Sequence, residues 1–151
     1  MNRLAKQTLL LLGAILFSGS VESKTILLNK TFELCIRANA QAQIIRRLDR
    51  DTATGIISVS GAKVDYLADP FPDRRRFTNL EPTGVVSPLG EVQRLYYSDG
   101  RQAFLLEKHL QRNDSVFVFF RFNPKDVRQE RVALALAHSA FSCVVSDVGE
   151  Q

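Results

Sequence analysis

Glu107 and His109 lie two positions apart in a stretch with strand character. In an extended chain that spacing projects both side chains from one face, about 7 Å apart. A carboxylate and an imidazole so placed can divide general acid and base work, and a nearby arginine can bind phosphate, as a small extracellular nuclease requires. Arg121, on the next strand-like stretch, is the candidate to complete that site or to pair with Glu107. The plainer expectation is a solvated polar face, because charged residues at period two are what an antiparallel sheet shows to water.

Arg74, Arg75 and Arg76, flanked by Phe71 and Phe77, form the most conspicuous cluster of charge. Guanidinium groups grip carboxylates and phosphates bidentately, and the aromatic rings can anchor the segment that carries them. The run is therefore the candidate binding surface for an acidic partner protein, lipopolysaccharide or nucleic acid. Arg46, Arg47 and Arg50 make a second cluster, but Asp49 and Asp51 dilute its field. His138 sits among Ala133, Leu134, Leu136 and Phe141 and reads as a buried imidazole with one backbone partner.

Cys35 and Cys143 are the chain's two cysteines, and with two histidines they lack the close spacing that assembles a metal site. No metal or other cofactor is expected. A nucleophile elbow and a glycine-rich phosphate loop are also missing, which argues against the common hydrolase classes. An even cysteine count in an exported chain points to a disulfide. A Cys35–Cys143 bond would staple the two ends, closing a loop of about 109 residues and stabilising the fold by about 4–5 kcal/mol.

These side chains need elements to position them. Over residues 31–48, Leu34, Ala38, Ala42, Ile45 and Leu48 recur every three or four positions, which predicts an amphipathic helix with Cys35 beside its apolar stripe. Residues 55–61 and 63–67 read as two short strands joined as a hairpin across Gly61-Ala62. Residues 69–88 contain Pro70, Pro72, Pro82 and Pro88, and predict one long surface loop around the arginine run, with at most a short strand over 84–87. Residues 91–97, 102–110 and 115–122 read as an antiparallel meander, its first turn made by Asp99-Gly100 and its last strand apolar enough to be central. A final helix over 124–145, capped by Asn123 or Asp126, completes the expectation. The predicted fold is α+β: an N-terminal helix, an antiparallel sheet of about five strands made from a hairpin and a meander, and a C-terminal helix packed on that sheet.

The chain opens with Arg3 and Lys6, an apolar run over 9–17 and then small residues, the pattern of a secretory signal peptide. The run is too short for a membrane anchor, which needs about 20 apolar residues. The expected organisation is a signal peptide over 1–23, cut after Ser23 or else after Ser20, and a single domain over 24–151. The leader takes Arg3, Lys6 and Glu22 with it, leaving a net charge of about +3 from the +4 of the whole chain. That balance argues against nucleic acid as the partner. The sequence thus points to a small exported binding protein, periplasmic or secreted, that contacts another protein or an envelope component as an accessory factor, inhibitor or immunity-type protein. The rival is a small secreted hydrolase, such as a nuclease, using Glu107 and His109 with Arg121 or an arginine of the run.

Overall fold

Residues 115–122 read Ser-Val-Phe-Val-Phe-Phe-Arg-Phe, and their burial explains how the molecule is layered. Val116, Val118, Phe120 and Phe122 are buried on one face of the strand, while Phe119 is buried on the other. The strand is therefore covered on both sides along its middle, as its apolar composition requires. The structure is a computed structural model that describes residues 22–48 and 52–144. Residues 1–21 of the expected leader, and Arg50, lie outside the described residues.

In chain order the described elements are β1 (Ser23–Asn29), β2 (Leu34–Asn39), β3 (Gln43–Leu48), β4 (Ala53–Val59), β5 (Ala62–Asp69), β6 (Phe77–Ser87), β7 (Gly90–Tyr97), β8 (Gln102–His109), β9 (Ser115–Phe122), helix α1 (Val127–His138) and β10 (Phe141–Ser142). A seven-stranded antiparallel sheet runs β3-β4-β5-β9-β8-β7-β6, with β9 at its centre. A smaller sheet runs β1-β2-β10. The small sheet and α1 cover one face of the large one. There Ile26, Leu28, Leu34 and Ile36 meet Ile57, Val64, Tyr66, Phe104 and Phe120, together with Ala133, Leu136 and Ala137 of the helix. Arg94 of β7 ties that helix to the sheet: it donates to Glu130 and lies 5.1 Å over Phe104 and 5.7 Å over Phe122. On the opposite face a second cluster gathers Leu95, Ala103, Leu105 and Phe119 with Leu67, Phe77, Tyr97 and Phe117.

The expected α+β arrangement is corrected: in place of one sheet of about five strands there are two, of seven and three strands, and three segments differ from their expected form. The segment read as an N-terminal helix is β2, a turn and β3. Leu34, Ile36 and Ala38 point into the core while Arg37 is exposed, a period of two. Leu34, Ala38 and Ala42 are spaced by four, and an even spacing returns to the same face of a strand as well as of a helix. The decisive residue is Asn39, whose carboxamide oxygen accepts from the Gln41 N–H at 2.8 Å and bends the chain.

Nor is the proline-rich stretch 69–88 one loop. It ends in β6, an eleven-residue strand at the sheet edge, where the N–H missing from Pro82 costs no ladder bond to a further neighbour. The ladder with β7 is irregular between Pro82 and Val86. There Gly84 takes φ +76 and the Thr83 hydroxyl donates to the Val92 carbonyl at 2.6 Å.

The last helix is shorter than expected. Asp126 caps it, accepting from the N–H groups of Arg128 and Gln129, and Ser139 closes it. Phe141 and Ser142 then extend to pair with Cys35 and Leu34 of β2. The Cys35–Cys143 disulfide is present, with the Cα atoms 5.8 Å apart, but it joins two neighbouring extended segments rather than two helices.

Candidate functional site

The arginine run forms a single 3-10 turn, Arg74–Arg76, and Asp73 decides where its three side chains go. One carboxylate oxygen of Asp73 accepts from the Arg75 backbone N–H at 3.2 Å and from Arg75 Nε at 3.0 Å. The other lies 3.6 Å from Arg76 Nε. These bonds hold the Asp73 carboxyl below its ordinary range, the hydrogen bonds from Arg75 being the main cause. Arg75 and Arg76 are thereby turned outward, their side chains 92% and 70% exposed.

Arg74 turns the other way. Its guanidinium lies 5.3 Å over the ring of Phe117, on the face of the large sheet opposite α1. Phe77, the first residue after the turn, packs against Tyr97 at 5.6 Å and Phe119 at 5.9 Å, and so anchors the turn to the sheet. Between turn and sheet lies a cleft of about 350 Å³, lined by Arg74, Phe77, Leu105, Phe117, Glu107 and His109 among others.

Register explains this convergence. Glu107 of β8 stands opposite Phe117 of β9, and His109 stands opposite Ser115. Glu107 Oε1 and His109 Nδ1 are 3.8 Å apart, and His109 Nδ1 is 3.1 Å from the Ser115 hydroxyl oxygen. Both side chains are well solvated, 46% exposed for Glu107 and 78% for His109. The cleft therefore holds a guanidinium over an aromatic floor together with an imidazole and a carboxylate, groups that suit either recognition of an anion or acid–base work.

The structure thus brings Arg74, Glu107 and His109 to one cleft and leaves the other candidates out of it. Arg75 and Arg76 are turned to Asp73 and solvent. Arg121 shares the cleft's face of the sheet but stands opposite Ala103 and Asp65, four residues along β9 from Phe117 and so about 13 Å away. It neither completes a site with Glu107 nor pairs with it. His138 has the expected single backbone partner, its Nδ1 lying 2.7 Å from the Val86 carbonyl, but the ring is exposed rather than buried. With a carbonyl as acceptor, Nδ1 is the protonated nitrogen.

Phe117 and Leu105, the floor of the cleft, carry no chemistry that marks them as site residues in the sequence alone. The signal that finds them is the two-residue alternation of β8 and β9 combined with their pairing, which puts Leu105 and Phe117 on the face of Glu107 and His109. Among the described residues, no group of three His, Cys, Asp or Glu side chains is placed to hold a metal ion. No helix among them is long and apolar enough to cross a membrane. The chain matches no protein-family model, no curated protein and no solved structure.

Proposed function

We propose that this protein is a small exported binding protein that holds a segment of another protein in the cleft beneath Arg74. The observation that carries the reading is the placement of Arg74 itself: one guanidinium of the three is held over Phe117 at the mouth of a partly apolar cleft. That arrangement suits a carboxylate on an apolar stem, with the fork of Arg74 taking the charge and the rings taking the stem. The Cys35–Cys143 disulfide supports a working place outside the reducing cytoplasm, in the periplasm or beyond the cell.

The test is affinity capture from the native extract with Arg74→Ala beside the double variant Arg75→Ala/Arg76→Ala. The reading expects one discrete partner, lost with Arg74 and retained by the double variant, at an unchanged melting temperature. Loss of the partner from the double variant alone would place the contact on the outer side of the turn and refute the cleft.

A second reading has one observation in its favour, since Glu107, His109 and an arginine line the same cleft. In that reading the pair serves as acid and base of a small hydrolase, with Arg74 binding the anionic part of the substrate. The exposure of both side chains speaks against it, because a site open to bulk water gives weaker electrostatic stabilisation of a transition state than a closed one. A nuclease and hydrolase screen of wild type and His109→Ala decides: turnover lost in the variant would establish the enzyme.

A further inference from the structure

Arg121, left out of the cleft, belongs to a second concavity of about 480 Å³ that shares no lining residue with the first. Lys63 and Asp65 reach it from β5, Asp99 and Arg101 from the turn between β7 and β8, Arg121 from β9, and Lys125 from the segment before α1. Four cations and two carboxylates therefore converge, an excess of two positive charges. The acids do not neutralise the set. Asp99 is committed to Arg101, whose Nε lies 2.7 Å from its carboxylate. Asp65 is directly opposite Arg121 in the ladder, yet no ion pair joins the two. The ammonium groups of Lys63 and Lys125 have no partner among the described residues.

Arg121 carries the strongest signal. Its Nε is shielded from solvent and has no hydrogen-bond partner, the only side-chain nitrogen or oxygen in that condition among the described residues. A buried donor on a charged group is costly to leave unmet, and a guanidinium turned toward an acceptor in the concavity would relieve that cost. We propose that the concavity is an anion site whose ligand is a phosphate monoester or phosphate itself. A phosphate group near neutral pH carries close to two negative charges and three strong acceptor oxygens. That matches both the excess charge and the several directions from which donors arrive, and a guanidinium fork is the donor that fits it best.

The test is an amide NMR titration of the oxidised protein with inorganic phosphate at constant ionic strength, with chloride as the control. Saturable shifts at Gly100, Arg101, Asn123 and Lys125, absent with chloride, are expected. Arg121→Gln should weaken binding about tenfold, the loss of one charge-assisted donor pair. Lys63→Gln and Lys125→Gln remove exposed charges that hold no structural bond, so each should fold normally and weaken binding about threefold. Parallel titrations with glycerol 3-phosphate and with vesicles containing phosphatidic acid tell a soluble monoester from a lipid headgroup by which binds tighter. Absence of saturable shifts with all three probes, or full affinity in both lysine variants, would overturn the proposal.

Discussion

Gly55→Ala tests the packing of the two sheets in a case where two effects of opposite sign compete. Gly55 of β4 stands opposite Tyr66 of β5, and a methyl group there would lie 2.4 Å from the Ile45 carbonyl oxygen and 2.5 Å from Tyr66 Cε1. Neither neighbour can yield easily. The Ile45 carbonyl belongs to the paired β3 backbone, and the Tyr66 ring is 1% exposed, its hydroxyl donating to the Leu28 carbonyl in the small sheet at 3.4 Å. Gly55 is not among the glycines with positive φ, so alanine meets no backbone strain and would by itself stabilise by about 0.4–1 kcal/mol through the unfolded chain. Overpacking of a filled core costs about 1–3 kcal/mol, and two contacts this short place Gly55 at the upper end. The net loss is about 2 kcal/mol, which for a domain of this size lowers the melting temperature by about 8 °C. Urea midpoints and thermal scans of the oxidised protein measure it. Because half of the clash is with the Tyr66 ring, Gly55→Ala/Tyr66→Leu should lose less than the sum of its single changes. An alanine variant as stable as wild type would refute the reasoning, since it would mean the Tyr66 ring does not lie across the glycine.

Other consequences are as direct. Replacing both cysteines with serine should cost about 4–5 kcal/mol in urea unfolding, the chain-entropy value for a loop near 100 residues; a loss under about 1 kcal/mol would mean the staple is redundant. Burial raises the Tyr66 hydroxyl above its ordinary 10.0, outweighing the nearby charge of Arg46. The unfolded chain therefore releases this proton first, so stability falls as the pH rises past 10.0, and Tyr66→Phe should flatten that part of the curve while an unchanged slope would contradict it. Ser23 is the first residue of β1 and pairs with Asn39, so a cut after Ser20 leaves the strand whole and a cut after Ser23 does not. If the proposed leader is removed, mass spectrometry of chain recovered outside the cytoplasm should read Val21 as its first residue; a start at Lys24 would refute this.

The parts of the fold that could be read in advance are those where turn chemistry and strand pattern agree. The β4–β5 hairpin turns on Ser60 and Gly61, at φ +50 and +82, the pair of positive values that a tight two-residue turn needs. The β7-β8-β9 meander followed from Asp99-Gly100 and from a last strand too apolar to leave either face in water. The N-terminal region misleads where the two periodicities coincide, at Leu34, Ala38 and Ala42, while the branched Ile36, Ile44 and Ile45 favour strands. β6 was hidden by Pro82, which is acceptable only because nothing pairs beyond it. At the cleft, sequence pointed to the arginine run but could not separate its members, since that depends on Asp73 engaging Arg75 and Arg76 and releasing Arg74. The meeting of Arg74 with Glu107 and His109 depends on the β8–β9 register and on Phe77 anchoring the turn, neither of which composition reveals.

The bond between Cys35 and Cys143 makes most of the described chain a covalent ring. A single proteolytic nick anywhere inside that ring, at the exposed Arg75 or Arg76 for example, opens it to a linear molecule without releasing a fragment. Trypsin-nicked protein would run as one species on a non-reducing gel and as two once thiol is added. In a protease-rich compartment the molecule can therefore be cut at this exposed turn and still stay in one piece, with the cleft's sheet, α1 and the small sheet remaining joined.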